Sequence, residues 1–280
     1  MNGVEHEQCV LATDLDGTLI PLPDEPENQT DLRRLQDDLQ SARLQLVFVT
    51  GRHLESVLAA IPQYELPLPQ WIICDVGTTL VEVVAAQDEG PTPGSLQPFA
   101  PYQQHLRQLV GSWTVERLSE RLQSISGLRK QELEKQGPFK LSYYAAAEDL
   151  PALTARVEQL LSVEGLPYRV IASIDPFNND GLVDLLPHGV SKAYALQWWA
   201  QLQRIPQTAI LFAGDSGNDL AALCAGYRSI IVANAAKSVI GKVQTHHQQQ
   251  GWGDRLFVAT QAATSGVREG LRHYLGSIQQ

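Results

Sequence analysis

Five short runs of the chain are almost wholly apolar, and each stops at small or acidic residues. They are Cys9 to Thr13 ahead of DLDGT, Leu44 to Val49 ahead of TGR, Trp71 to Asp75 ahead of VGTT, Ala209 to Ala213 ahead of GDSGND, and Ser229 to Ala233 ahead of NAAK. Strands of a parallel sheet covered on both faces need this continuity, because neither face can stay polar. Between the runs, apolar positions recur at helical spacing over Thr30 to Ala42 (with Leu32, Leu35 and Leu39), Leu54 to Ile61, Ser191 to Leu202 and Asp219 to Ala225. Strands alternating with helices predict an α/β fold around a doubly wound, Rossmann-like parallel sheet.

The alternation stops after Val84. The stretch that follows, AAQDEGPTPGSLQPFAP, is rich in Pro and Gly, as a crossing between domains is. Beyond it the pattern predicts a long helix around Tyr102 to Gln123, a strand from Phe139 to Tyr144 and a helix near Asp149 to Val163. Strands near Tyr168 to Ile174 and Leu182 to Leu186 complete this middle region. We read it as an α+β unit, residues 85–187, inserted into a core made of residues 1–84 and 188–280. A last helix, about Ser265 to Ile278, would close the core. A chain of 280 residues has room for both, since domains mostly run to about 50–250 residues.

Composition narrows the function classes. Hydrophobic residues make up 44% and charged residues 19%, the balance of a globular chain with a sizeable core. Lys plus Arg is 21 against 31 for Asp plus Glu, a formal charge of -10, which argues against binding nucleic acid or an anionic membrane through a basic face. Cys9, Cys74 and Cys224 are odd in number, and the first two sit in apolar runs, so we expect free thiols in a reducing compartment. The N-terminus, MNGVEHEQ, has no signal-like apolar segment, and no run of about 18 apolar residues occurs. These features predict a cytoplasmic protein with no membrane partner.

Four loops carry candidate chemistry. Asp14 and Asp16 of DLDGT lie two apart at the end of a strand, with Gly17 to turn the chain. Two carboxylates this close repel, and a hard cation such as Mg²⁺ is the usual remedy, although Asp-Gly also makes ordinary tight turns. Thr50-Gly51-Arg52 places a hydroxyl and exposed amides where a strand enters a helix, which suits a phosphate group and equally suits a plain helix start. Lys192, preceded by Ser191 as an N-cap, is either an exposed helical lysine or a charge for neutralising phosphate. Gly214-Asp215-Ser216-Gly217-Asn218-Asp219 offers two acids for a cation and the amide of Asn218 for phosphate, though it could be a simple loop.

In order and spacing these four loops resemble the motifs of the haloacid dehalogenase-like (HAD) phosphatases, over nearly the whole chain. The resemblance implies that Asp14 is the nucleophile, that Asp16 is the acid and base, and that Thr50 and Lys192 hold the phosphoryl group with help from Gly51 and Asn218. It further implies Mg²⁺ bound by Asp14, the backbone carbonyl of Asp16, and Asp215, with Asp219 supporting the metal or orienting Lys192. The insertion resembles the large Cof-type cap of the sugar-phosphatase branch. The chain is similar in particular to the sucrose-phosphate phosphatase group, in Pro138-Phe139-Lys140-Leu141-Ser142-Tyr143, in Val183-Asp184-Leu185-Leu186-Pro187, in GDSGND with Ser216, and in Gly251-Trp252-Gly253-Asp254. DLDGT, where some members carry Asn in place of Gly, and VGTT match that group less closely.

A sugar phosphate is therefore the expected partner, with Lys140, Asn178, Asn179 and Asp180 as candidates for the sugar and Tyr143 or Phe177 as a platform. Lys140 could instead be an exposed strand lysine, and Asn178 to Asp180 with Gly181 a hairpin turn. Sucrose 6-phosphate leads. Another glycosyl phosphate, a mutase using the same nucleophile, or a non-catalytic unit associated with a sugar-phosphate synthase remain as alternatives. His246-His247 lacks further ligands at metal spacing and reads as solvent-exposed, and Trp198-Trp199 read as packing between helix and sheet.

Overall fold

A computed structural model of the chain describes residues 9–83, 96–174 and 180–278. In chain order the elements begin β1 (Val10–Thr13), α1 (Pro26–Ser41), β2 (Gln45–Val49), α2 (Leu54–Gln63), β3 (Trp71–Cys74) and β4 (Thr79–Glu82). They continue α3 (Ala100–Val110), α4 (Val115–Leu122), β5 (Arg129–Lys130), β6 (Leu141–Ala145), α5 (Leu150–Val163), β7 (Tyr168–Ile174) and β8 (Gly181–Pro187). The chain ends with α6 (Lys192–Gln203), β9 (Ile210–Gly214), α7 (Leu220–Leu223), β10 (Arg228–Ile231), α8 (Lys237–Gln250), β11 (Leu256–Val258) and α9 (Ala263–Ile278).

The chain divides into two compact units. The first comprises Met1–Gly77, Val81–Gln97 and Lys192–Gln280, and the second Thr78–Leu80 and Pro98–Ser191. Most of the Pro/Gly-rich stretch read as a crossing, residues 84–95, lies outside the described residues, as do Phe177, Asn178 and Asn179.

A seven-stranded sheet in the order β11-β10-β9-β1-β2-β3-β4 carries the α/β architecture. From β11 through β3 the pairings are parallel. β1 sits at the centre, with Thr13 in register with Phe48 on one side and Ala213 on the other. Chain order runs outward in opposite directions from β1 and β9, so the loops leaving their carboxyl ends splay apart and leave a crevice there. The apolar runs are buried because helices cover both faces. Leu11, Leu46, Phe48, Ile72, Leu211 and Ile230 all belong to one core cluster.

α1 shows how one stripe fixes a helix. Leu32, Leu35 and Leu39 are buried, and Asn28 beside them is buried only because all its groups are satisfied. Its Nδ2 donates to Ala262 O and Ser265 Oγ, and its Oδ1 accepts from the Leu22 amide.

In the second unit a four-stranded sheet, order β5-β6-β8-β7, is antiparallel throughout. α5 packs on β7 and β8, and α3 on β8. The expected long helix from Tyr102 to Gln123 is two helices. Gly111, at φ 57, ends α3 in a conformation glycine tolerates, and the Thr114 hydroxyl accepts from the Arg117 amide to start α4. Among the described residues no helix is long and apolar enough to cross a membrane.

Candidate active site

All four loops singled out in the sequence lie in the first unit, where β1, β2 and β9 are adjacent and deliver three of them to one rim. Asp14 follows β1 and is tied to the neighbouring β9 by its amide, which donates to Ala213 O at 3.0 Å. The chain then makes one tight turn over Leu15–Leu19, with Asp16 extended and Gly17 at φ 71. Glycine is required there twice over. The dihedral is left-handed, and a Cβ would stand 2.6 Å from Asp215 Oδ2.

Lys192 opens α6, and its side chain is completely buried. Its Nζ lies 2.8 Å from Asp14 Oδ1 and 2.8 Å from Asp219 Oδ1, two ion pairs sharing one ammonium. The alternative of an exposed helical lysine is thereby excluded. Asp219 is spoken for on both oxygens. Its Oδ1 takes Lys192, while its Oδ2 accepts from the amides of Asp215 and Ser216 and from the Ser216 hydroxyl. Asp215 receives the Thr18 hydroxyl at 3.1 Å.

One oxygen from each of Asp14, Asp215 and Asp219 lies within 4.8 Å of the others. Three carboxylates therefore face a single ammonium. Burial, which penalises the charged form, pushes the Asp14 carboxyl up to about 8 despite Lys192, with Asp219 adding repulsion. Burial together with Asp219 raises Asp215 to about 6. Lys192 is raised as well, for a different reason. Burial alone would lower it, but the Asp14 and Asp219 charges outweigh that and hold it protonated.

The surplus negative charge and the oxygen-only donor set of Asp14, Asp215 and Asp219 fit a hard divalent cation. Asp14 and Asp215 have coordinating capacity to spare. Asp219 does not, which favours its role in orienting Lys192.

Thr50, at the end of β2, is fully buried. Its amide donates to Ile73 O, and its hydroxyl accepts from the Arg52 amide at 3.2 Å, leaving the O–H to donate elsewhere. Gly51 and Asn218 approach each other across the rim, since a Cβ on Gly51 would lie 3.9 Å from Asn218 Nδ2. Asn218 is exposed, and its Oδ1 accepts from Ser216 Oγ at 3.0 Å. Asp16 points its carboxylate at Arg52, whose Nε and Nη2 lie 2.7 and 2.6 Å from its two oxygens.

Of the sugar candidates, Lys140 is in the second unit and 5% exposed, so it is no exposed strand lysine. It sits in the turn before β6, its carbonyl accepting from the Gly137 amide. Tyr143 is also buried, on β6, and Asp180 is half-buried immediately before β8. Asn178 and Asn179 fall outside the described residues.

The structure corrects the reading of the histidine pair. His247 is 1% exposed, its ring nitrogens facing Leu223 O at 2.8 Å and Trp252 O at 3.2 Å. It fastens α8 to the end of α7 and to the segment that follows α8, instead of meeting solvent. Trp199 is fully buried and meets Trp71 edge-on at 6.2 Å, while Trp198 is half-buried.

Sequence reasoning passed over Thr18, which steadies Asp215, and Asn234, whose Nδ2 donates to Gly17 O at 2.8 Å. Both stood inside stretches already singled out, DLDGT and NAAK, Thr18 as a polar residue close to the motif acids and Asn234 as the polar residue that ends an apolar run.

Comparison with known proteins places these features in context. The family model for sucrose-6F-phosphate phosphohydrolase matches residues 7–275. A protein of Nitrosococcus oceani described as a HAD-like hydrolase is 33% identical over 280 residues, covering 96% of this chain and 72% of the relative. A mannosylfructose-phosphate phosphatase from Agrobacterium fabrum is 30% identical over 95% of this chain and 96% of its own. Among solved structures, sucrose-phosphatase from Synechocystis sp. PCC6803, crystallised with sucrose and phosphate, superimposes with a TM-score of 0.74 at 25% identity, covering 96% of this chain and 98% of that one.

Proposed function

The chain belongs to the sucrose-6F-phosphate phosphohydrolase family, within the HAD phosphatases, and we propose that it is a Mg²⁺-dependent phosphomonoesterase that releases phosphate from sucrose 6F-phosphate. One observation carries the chemistry. A fully buried Lys192 bridges Asp14 and Asp219 at 2.8 Å each, with Asp215 alongside, at the mouth of a parallel sheet.

In this reading Asp14 attacks phosphorus. Its oxygen bonds to phosphorus as the bond to the sugar oxygen breaks, leaving an aspartyl-phosphate and splitting one hard displacement into two. Asp16 gives its proton to the departing sugar oxygen and then takes one from the attacking water. Lys192 and the Thr50 hydroxyl, with the Gly51 amide and the Asn218 side chain, hold the phosphoryl oxygens. Asp219 keeps Lys192 aimed at Asp14.

Asp14, Asp215 and the Asp16 carbonyl would hold the Mg²⁺. When bound, the ion offsets charge on the transferring group and on the crowded carboxylates. Lys140 and Asp180, with Asn178 and Asn179, would recognise the sugar.

The family description and the Synechocystis enzyme favour sucrose 6F-phosphate, while the Agrobacterium relative keeps mannosylfructose phosphate in contention. Both are disaccharide phosphates. The test is phosphate release from a panel of disaccharide, glycosylglycerol and hexose phosphates, scored by kcat/KM with and without Mg²⁺. Sucrose 6F-phosphate should lead, and Asp14→Asn should abolish turnover. A hexose phosphate turned over better than any disaccharide phosphate would overturn the substrate, and full activity in Asp14→Asn would overturn the nucleophile.

A further inference from the structure

Arg52 completes the Thr50-Gly51-Arg52 motif, yet nothing in the proposed chemistry uses it. Each of its three guanidinium nitrogens has a partner. Nε donates to Asp16 Oδ2 at 2.7 Å, Nη2 donates to Asp16 Oδ1 at 2.6 Å, and Nη1 donates to Ser56 Oγ at 3.1 Å on the first turns of α2. The backbone of Arg52 is held equally firmly. Its amide donates to Thr50 Oγ1 at 3.2 Å, and its carbonyl accepts from the Asp75 amide at 2.8 Å. The Asp16 side chain, by contrast, is 40% exposed and receives hydrogen bonds from no other described residue.

A carboxylate that exposed would sample several rotamers if left alone. A two-pronged guanidinium fixes both its torsions, because the fork accepts the carboxylate in one plane and one direction. Resting on the reading of Asp16 as acid and base, we infer that Arg52 is a positioning residue that sets the Asp16 carboxylate for both proton transfers. In the first half-reaction the Asp16 proton passes to the sugar oxygen as its bond to phosphorus breaks. In the second, a water oxygen bonds to phosphorus, the water's proton passes to Asp16, and the bond from phosphorus to Asp14 breaks. Arg52 donates no proton and acts only through Asp16, not on the phosphoryl group. Its contribution is the geometry of the one group that moves protons, and α2 supplies the anchor through Ser56.

Leaving groups separate this role from others. p-Nitrophenolate departs without help from an acid, whereas a sugar alkoxide needs a proton. Loss of the fork should therefore spare the first half-reaction with p-nitrophenyl phosphate and slow the second with every substrate. We expect Arg52→Gln to give a burst of p-nitrophenol near one equivalent per enzyme, then turnover slowed about 10–100-fold, with a larger loss of kcat on the sugar phosphate. Arg52→Lys, which keeps the charge and loses the fork, should fall between Gln and wild type. It carries the measurement if Arg52→Gln does not fold.

A raised KM with no burst would show that Arg52 contacts substrate, and unchanged kcat on both substrates would show a purely structural pair. Either result overturns the inference. If wild type itself releases no phosphate from either substrate, the phosphatase reading fails instead.

Discussion

Replacing Lys192 by Met removes the only ammonium among the described residues that faces Asp14 and Asp219, while nearly keeping the side chain's volume. Both ion pairs are at 2.8 Å, and both partners are almost wholly out of water. A buried charge that loses its partner keeps its full desolvation cost, and such losses run to about 3–5 kcal/mol. For a chain of this size about 1 kcal/mol moves the melting temperature by roughly 2–4 °C, so the metal-free variant should melt about 6–20 °C below wild type. Phosphatase turnover should fall by about 10²–10³-fold, as on removing one preorganised donor from a developing anion.

The two losses can be pulled apart. Adding Asp219→Asn to Lys192→Met removes one orphaned charge while keeping an acceptor for the loop amides, so it should return part of the stability and none of the activity. Differential scanning fluorimetry and a phosphate-release assay on wild type, the Lys192→Met and Asp219→Asn single variants and the double variant read both quantities. A Lys192→Met protein that melted with wild type in the absence of metal would refute the reasoning, because the carboxylates would then not depend on that ammonium.

Three further outcomes follow from the same geometry. Gly17→Ala should cost about 1–2 kcal/mol for a left-handed alanine and should also weaken Mg²⁺ binding measured by calorimetry, because the new Cβ displaces Asp215 Oδ2 from 2.6 Å away. Equal Mg²⁺ affinity in that variant would contradict the placement of Asp215. The folded carboxyls of Asp14 and Asp215 are raised from 3.8 to about 8 and about 6, so metal-free stability from these groups is complete below about pH 4 and is lost as pH rises through 6 to 8. Saturating Mg²⁺ favours the ionised forms, and the gain in melting temperature it gives should be larger at pH 8 than at pH 5; a gain independent of pH would count against the cluster as the metal's site. Trp199→Ala should cost about 3–5 kcal/mol as a fully buried aromatic, and Trp199→Phe distinctly less, since it deletes an indole N–H that finds no acceptor among the described residues; equal losses in denaturant melts would place the cost elsewhere.

The sequence made β1, β2, β3, β9 and β10 legible because a strand buried on both faces leaves an unbroken apolar run. The same runs exposed the loops that bear Asp14, Thr50 and Asp215. α8 went unread because His246, His247 and Gln248 to Gln250 conceal its stripe, in which Val239, Val243 and His247 alone are buried. β11 is three half-buried residues at a sheet edge, too short for any period to register. The long helical pattern from Tyr102 onward ignored Gly111 and Thr114, whose capping roles break it.

Pairings across distance were out of reach for a different reason. Nothing local marks Arg52 as a partner for Asp16, 36 residues away, or Thr18 for Asp215, 197 residues away, because such contacts exist only once the strands are side by side. For the same reason the burial of Lys192 was invisible, since a lysine at the start of a helix looks alike whether it faces water or two acids.

Covalent capture at Asp14 is the most direct test of the nucleophile. The enzyme would be mixed with sucrose 6F-phosphate and Mg²⁺, quenched in acid within milliseconds, digested, and its peptides searched by mass spectrometry for added phosphate. Phosphate carried on the peptide containing Asp14, absent from Asp14→Asn and lost on standing in mild base, is the predicted result. Rapid phosphate release with no acyl phosphate at Asp14 at any quench time, or phosphate on another side chain, would contradict it.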